Sequence, residues 1–303
     1  MSRIVLHEVG PRDGLQMERQ VVPTGTKEAW VRALARCGLD IIQVGSFVHR
    51  DKVPQMADTD ALFDRLSADP PGGVVLSGLV LNEKGLDRGL ACGVGLLCMG
   101  ASASNTHSRR NTGMGTDEAV RRIVAMGKTA LAAGRRVQVS VQSAFGCGFE
   151  GPISEGRVRD MVAAYLAAGL RSISLADTAG HATPGQVEKL FGAVRALDPA
   201  AECTCHFHNT YGLGMANIFA ALRAGVTGVE TSFAGLGGCP FTKVAAGNVA
   251  TEDFVHALQL EGVRTDVDLG GLLAVARQVA AHFGRKMPGY VLATGPITAG
   301  RPS

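Results

Sequence analysis

The sequence lacks the long apolar stretch that a membrane-spanning helix requires. Apolar residues make up 46% of the 303 residues and charged residues 19%. No uncharged apolar run approaches the roughly 20 residues that cross a bilayer. The opening segment, MSRIVLHEVGPRDG, also lacks the apolar core of a signal peptide. We therefore expect a cytoplasmic protein that does not associate with membranes.

Concentrated positive charge is also missing. The formal net charge of +3 is spread along the chain, and the basic clusters are the pairs Arg109-Arg110, Arg121-Arg122 and Arg135-Arg136. Nucleic-acid-binding proteins carry denser basic surfaces than this. The charge pattern argues against a nucleic-acid partner and leaves anionic small molecules as candidate substrates.

The seven cysteines form no Cys-x-x-Cys pair. Their number is odd and they are scattered, whereas disulfide frameworks and all-cysteine zinc sites show paired, regular spacings. The sequence therefore predicts reduced thiols.

What the sequence does contain is a regular alternation of short β-branched runs with longer Ala-, Leu- and Arg-rich segments, punctuated by 40 glycines. This alternation is typical of βα units around a parallel sheet. Strands are predicted to begin at residues 3, 39, 73, 94, 136, 172, 202 and 228. Helices are predicted over 25–37, 56–66, 83–92, 116–133, 154–168, 184–197, 213–224 and 251–260, with an extra helix from 269.

Eight such units predict an α/β fold, a (β/α)8 TIM barrel with an extra C-terminal helix. An open doubly wound sheet is the alternative, but the first strand is followed by VGPRDGLQ and not by a Gly-rich dinucleotide fingerprint. We therefore expect one barrel domain over 1–286 and a C-terminal tail over 287–303.

In a TIM barrel the active site lies at the carboxyl ends of the strands. Polar side chains follow most of the predicted strands at that point, and together they predict a polar, partly charged site. The residues are Arg12, Asp13, Gln43, Ser46, Ser102, Ser104, Gln142, Ser143, Asp177, His206 and His208.

The stretch CHFHNTYG sets two histidines one residue apart at the end of the seventh strand. Side chains two apart share a face of a strand, so His206 and His208 point together while Cys203 and Cys205 face the other way. This disfavours a zinc site of two cysteines and two histidines. Oxygen ligands from Asp13, Asp177 or Asn248 would complete a site for Mg2+ or Mn2+. The alternative is that one histidine is a hydrogen-bonded core residue.

The other candidates have ordinary alternatives as well. Arg12 could pair with Asp13 or Glu8, Asp177 could cap the following helix, and Cys239 could be an inert thiol.

Five motifs in the chain resemble those of the 3-hydroxy-3-methylglutaryl-CoA lyase family within the DRE-TIM metallolyases. They occur in the family's order and extend over nearly the whole chain. The motifs are EVGPRDGLQ at 8–16, SFVHRDKVPQM at 46–56, SLADTAG at 174–180, CHFHNTYGLGMAN at 205–217, and AGLGGCPF with AAGNVATED at 234–253.

The resemblance implies a divalent cation, Mg2+ or Mn2+, held by Asp13, His206, His208 and Asn248. It implies a metal-dependent lyase of leucine degradation that cleaves a 3-hydroxy-3-methylglutaryl-CoA-like thioester to acetyl-CoA and a keto acid by a retro-Claisen reaction. Arg12 would contact the thioester carbonyl. The remaining site residues that the resemblance implies are Cys239 on a mobile loop, the acids Asp177 and Glu252, and Lys286 at coenzyme A. Of the polar residues at or after the strand ends, Gln16, Gln43, Ser102 and Ser143 are expected at the substrate.

The chemistry requires a group that takes the proton of the 3-hydroxyl and one that protonates the enolate carbon. Asp13 is a candidate base, and His206 and Cys239 are candidate acids. A cation such as Arg12 beside the thioester carbonyl would stabilise the enolate.

Several positions differ from the family pattern. Gln43, Asn105 and Asn209 replace carboxylates, Val244 replaces a loop glycine, and Gly284 replaces an asparagine before Lys286. Three alternatives therefore remain: a lyase for a different 3-hydroxyacyl-CoA, a condensing synthase acting on a 2-oxo acid, and a non-catalytic metal-binding barrel. A homodimer is one assembly that such a barrel can form.

Overall fold

The protein is described by a computed structural model that covers residues 3–238 and 247–297. Eight parallel strands close into a barrel in chain order, and β8 pairs back to β1. This confirms the predicted TIM barrel, and every predicted strand is present. The strands are β1 Val5–Glu8, β2 Ile41–Ser46, β3 Val75–Leu79, β4 Leu96–Ser102, β5 Arg136–Gln142, β6 Ser172–Asp177, β7 Glu202–Phe207 and β8 Gly228–Thr231.

The helices surround the barrel, and all eight predicted helices and the predicted extra helix, α10, are present. The helices are α1 Thr24–Ala35, α2 Thr59–Ala68, α3 Glu83–Ala91, α4 Asn105–Thr112, α5 Thr116–Ala132, α6 Glu155–Ala167, α7 Pro184–Leu197, α8 Gly214–Arg223, α9 Thr251–Leu260, α10 Leu269–Phe283 and α11 Tyr290–Thr294. None of these helices is long and apolar enough to cross a membrane.

Two helices, α4 and α11, were not predicted. The α4 sequence NTHSRRNT carries no apolar stripe. It forms because the Ser104 hydroxyl accepts a hydrogen bond from the His107 amide and Gly113 ends it with a left-handed φ of 78°. The five-residue α11 lies within the predicted tail, where the Asp253 carboxylate accepts hydrogen bonds from the amides of Tyr290 and Val291.

The main hydrophobic core lies between the barrel wall and the helices. Strand side chains that face outward belong to it, including Cys203, Cys205 and Phe207 of β7. Among the inward-facing side chains, Ile41, Leu96 and Cys98 form a small second apolar cluster. Others are polar and hydrogen-bond across strands, as Gln138 does with Cys98. Alternation along each strand thus gives the barrel an apolar outside and an interior that carries polar side chains toward its carboxyl end.

Candidate active site

Three buried side chains converge at the carboxyl end of the barrel. One ligand atom from each of Asp13, His206 and His208 lies within 4.8 Å of the others. Asp13 Oδ2 is 3.9 Å from His206 Nε2 and 3.7 Å from His208 Nε2. The two histidines share the face that strand alternation predicted, and the cysteines of β7 lie in the core on the other side.

A tight turn after β1, the π-helical segment Gly10–Gly14, presents Asp13 to the histidines. The amide of Asp13 donates to the Val9 carbonyl at 2.7 Å, and the amide of Gly10 donates to Glu8 Oε1 at 2.7 Å. A Cβ at Gly10 would lie 2.6 Å from that same Glu8 oxygen, so the turn requires glycine there. The motif EVGPRDG therefore folds as a rigid holder for Arg12 and Asp13.

Asn248 completes the cluster from the segment that follows β8. Its Nδ2 donates to Asp13 Oδ2 at 2.8 Å and to the Leu236 carbonyl at 3.0 Å. Its Oδ1 is buried and has no hydrogen-bond partner among the described residues, and the same is true of both ring nitrogens of His208. Buried polar atoms are rarely left this way, because each costs free energy. Carboxylate, imidazole and amide donors together suit a divalent cation, so the residues present fit the expected metal.

Arg12 controls the electrostatics of the cluster. Its Nη1 lies 2.6 Å from Asp13 Oδ1, and its Nε donates to Gln43 Oε1. Burial alone would raise the pKa of Asp13, but Arg12 and the two histidines hold that pKa well below its ordinary value. Asp13 is therefore an anion near neutral pH, as a metal ligand must be.

A cavity of about 540 Å³ opens over the cluster. Eight of the predicted site residues line it, and the structure thus brings them together: Arg12, Asp13, Gln16, Gln43, Ser46, Gln142, His206 and His208. The cavity continues into the barrel, where Gln138, Ser140, Ser174 and the acid Glu230 also line it, beside apolar side chains such as Met99.

Other predicted site residues lie outside the cavity wall. Ser102 Oγ accepts a hydrogen bond from the Ser104 amide at 3.2 Å, and the Ser143 amide donates to Thr178 Oγ1 at 2.9 Å. Lys286 is exposed beyond the end of α10. Cys239 and Val244 lie outside the described residues.

The two predicted acids hold backbone segments. Asp177 accepts hydrogen bonds from the amides of His181 and Ala182, each at 2.9 Å, and burial raises the pKa of Asp177. Glu252 accepts one from the Ala234 amide at 3.1 Å, and burial raises the pKa of Glu252 to about 8. Both carboxyls therefore hold the backbone of loops next to the site by hydrogen bonds.

Among the described positions that differ from the family pattern, only Gln43 lines the cavity. Asn105 Oδ1 accepts a hydrogen bond from the Thr116 amide, and Asn209 Oδ1 accepts one from the Gly214 amide at the start of α8. Gly284 has a left-handed φ of 60° and ends α10. The difference that bears on the site is therefore Gln43, which accepts from Arg12 without adding a negative charge.

Two buried residues of the barrel interior were not found from the sequence, Glu230 and His7. Glu230 Oε2 lies 2.9 Å from His206 Nδ1. Its other oxygen lies 3.6 Å from His7 Nδ1, and His7 Nε2 is 2.9 Å from Ser77 Oγ. Burial lowers the pKa of His7 to about 4, so its ring is neutral at pH 7. Titratable residues at inward positions of a strand were the available signal, but both precede the strand ends where polar residues were sought.

Comparison with known proteins places this site in a family. The family model described as HMGL-like matches residues 3–279. The hydroxymethylglutaryl-CoA lyase YngG of Bacillus subtilis is 36% identical over 287 residues, which are 95% of each chain. The mitochondrial hydroxymethylglutaryl-CoA lyase of Homo sapiens is 37% identical over 285 residues, which are 94% of this chain and 87% of the human one.

Solved structures agree with these relatives. An HMG-CoA lyase of Acinetobacter baumannii, in complex with coenzyme A and 3-methylmalate, superposes with a TM-score of 0.92 at 35% identity, covering 99% of this chain and 98% of that one. The hydroxymethylglutaryl-CoA lyase of Pseudomonas aeruginosa gives 0.91 at 34% identity, with 96% and 97% covered. The family match, the relatives and the barrel-end cluster all agree, and the chain belongs to the HMGL-like family.

Proposed function

We propose that this protein is a carbon-carbon lyase that cleaves 3-hydroxy-3-methylglutaryl-CoA, or a closely similar thioester, to acetyl-CoA and a keto acid. The observation that carries the proposal is the buried cluster of Asp13, His206, His208 and Asn248 beside Arg12 in one cavity. Its relatives named as hydroxymethylglutaryl-CoA lyases match it along almost the whole chain, which supports the same reaction.

The four cluster residues are proposed to hold Mg2+ or Mn2+. When bound, the cation polarises the oxygens of the substrate and lowers the pKa of its 3-hydroxyl group. Asp13 fits the role of ligand better than that of base, because a carboxylate whose pKa is held low accepts protons poorly.

Arg12 is proposed to stabilise the enolate that forms when the bond between the α and β carbons breaks. Its guanidinium is held by Asp13 and Gln43, so it is fixed before the substrate arrives. A preoriented donor in a partly buried site stabilises developing charge more strongly than a mobile one in water does. Because Gln43 is neutral, Asp13 supplies the negative charge that faces Arg12 at hydrogen-bond distance.

The acyl end of the substrate is proposed to enter the cavity beside the cluster, and the coenzyme A portion to extend outward toward exposed Lys286. The A. baumannii relative supports this division, since its structure holds coenzyme A together with a small hydroxy acid. Gln16 and Gln43 line the acyl end of this path. We place the activity in the cytoplasm, with a homodimer as the assembly to be tested.

The decisive experiment measures acetyl-CoA release from a panel of 3-hydroxyacyl-CoA thioesters by the metal-stripped protein resupplied with Mg2+ or Mn2+. We expect cleavage of at least 3-hydroxy-3-methylglutaryl-CoA, and its abolition by EDTA. The variant Arg12→Gln serves as the control, because it removes the positive charge of the guanidinium while keeping a polar side chain. It is expected to lose about 10²- to 10³-fold in rate.

Absence of cleavage of every thioester would overturn the proposal. Consumption of acetyl-CoA with a 2-oxo acid, in place of its release, would identify a condensing synthase instead.

A further inference from the structure

We propose that Glu230 is a positioning residue that orients His206 as a metal ligand. This inference rests on the proposed cation site. Glu230 lies in β8, its side chain is about 10% exposed, and Oε2 is 2.9 Å from His206 Nδ1. The hydrogen bond leaves Nε2 of His206 on the side of Asp13, at 3.9 Å from Oδ2.

The position of Glu230 follows from the closure of the barrel. Its Cα pairs with that of His206 on β7 and with that of His7 on β1, so the three residues form one row across adjacent strands. Neighbouring positions in such a row bring side chains on the same face into contact. The carboxylate thus stands between two imidazoles inside the wall that carries the site.

Of the two rings, Glu230 binds the one that faces the cation site. Nδ1 of His7 is 3.6 Å from Glu230 Oε1, beyond ordinary hydrogen-bond distance, and its Nε2 turns to Ser77 Oγ at 2.9 Å. His7 and Ser77 therefore form a hydrogen-bonded pair on the side of the Glu230 carboxylate away from His206. They do not compete for its hydrogen bond to His206.

A carboxylate can only accept a hydrogen bond, so His206 donates from Nδ1, and in the neutral ring that binds a cation the lone pair is then on Nε2. Carboxylates that hold a metal-binding histidine in this way fix its tautomer and orientation and make it a better ligand. Both ring nitrogens of His206 are then engaged. His206 cannot protonate the enolate carbon while it serves as a ligand.

The test is the affinity of the metal-stripped protein for Mn2+ without substrate, measured by electron paramagnetic resonance. Glu230→Leu removes the acceptor at similar size and is expected to weaken Mn2+ binding about 10- to 100-fold. Glu230→Gln keeps a carbonyl acceptor and should lose less than Glu230→Leu does. Ser77→Ala is the matched control, because it removes the hydrogen bond to His7 Nε2 and leaves the contact between Glu230 and His206 in place, and its dissociation constant should stay within about twofold of the parent.

Equal Mn2+ affinity in the parent and both Glu230 variants would overturn the inference while leaving the proposed site intact. A parent that binds no Mn2+ would overturn the site itself. If Glu230→Leu does not fold, Glu230→Gln and nuclear magnetic resonance of histidine 15N nuclei still decide the matter. In the parent loaded with Mg2+, the His206 ring, assigned with a His206→Asn variant, should carry its single proton on Nδ1, and a single proton on Nε2 would contradict the proposal.

Discussion

The two ends of the barrel treat buried polar groups in opposite ways. At the amino end, the buried guanidinium of Arg264 donates to Asp40 Oδ2 at 2.6 Å, to the Ile4 carbonyl at 2.6 Å and to the Gly38 carbonyl at 2.8 Å. At the carboxyl end, His208 and the Oδ1 of Asn248 are equally buried, and the described residues offer these atoms no hydrogen-bond partner.

The contrast distinguishes the end of the barrel whose polar groups stabilise the fold from the end whose polar groups are free to bind a ligand. A fully satisfied polar network joins the segments that precede β1 and β2 to the α9–α10 loop, and such a network stabilises the fold. Unsatisfied buried donors and acceptors destabilise it unless a ligand supplies the missing partner. The amino end is therefore structural and the carboxyl end is built to bind.

The sharpest test of this contrast is Asp13→Asn, which removes the central anion of the site at constant size. We expect kcat/KM for thioester cleavage to fall on the order of 10³-fold or more. The free energy of unfolding in EDTA should change far less, by about 2 kcal/mol at most, since the remaining carbonyl oxygen of the new side chain can still accept from Gln16 and Arg12 at the position of Oδ1. Urea unfolding and steady-state kinetics measure the two effects.

Mn2+ provides the internal control for Asp13→Asn. At about 100 times its dissociation constant a ligand stabilises the native state by roughly 2.7 kcal/mol. The parent should show this gain and the variant should show almost none. A variant that keeps both the gain and the activity would contradict the ligand role of Asp13.

The complementary test is Arg264→Met at the amino end. It leaves Asp40 and two backbone carbonyls without their buried donor, and the free energy of unfolding should fall by about 3 kcal/mol. The kcat per folded molecule should remain within about twofold of the parent, because mutations at distant, independent sites act separately.

Arg3→Met is the matched control for Arg264→Met. Arg3 also pairs with Asp40 and Asp266, but its side chain is 59% exposed, so water screens both ion pairs. We expect little loss of stability from it. Equal losses in the two variants would show that burial does not decide the contribution of this network.

The fold could be predicted largely from sequence because each βα unit has a recognisable local sequence pattern. Glycines separate the strand-like runs from helices with apolar faces, and eight such units leave few topologies. The helix α4 could not be predicted in this way, since its residues show no apolar periodicity and its ends depend on Ser104 and Gly113.

The site divides along a similar line. Asp13, His206 and His208 could be proposed because they lie at or just after strand ends, with His208 two residues beyond His206 of β7. Glu230 and His7 could not, because their meeting depends on the register with which β8 pairs to β7 and to β1. That register is a property of the closed barrel, and it cannot be read from the sequence of any single strand.

The smallest effect is expected from Gly237→Ala, which probes how closely the carboxyl end is packed around its binding atoms. Gly237 has a φ of 115°, and an added Cβ would collide with Nδ2 of Asn248. Asn248 would have to move from Asp13, and we expect Mn2+ affinity and kcat/KM to fall about tenfold, equivalent to roughly 1.4 kcal/mol. Manganese titration and steady-state kinetics measure both.

Gly262→Ala separates this collision from the backbone strain that comes with it. Gly262 also has a positive φ, 72°, but no atom lies within 4 Å of an added Cβ. Its substitution should cost about 1 kcal/mol of stability through the left-handed backbone alone and leave Mn2+ binding unchanged. If Gly237→Ala resembled Gly262→Ala in both measurements, Asn248 would not be held at the site by close packing, and the binding end would be looser than its geometry indicates.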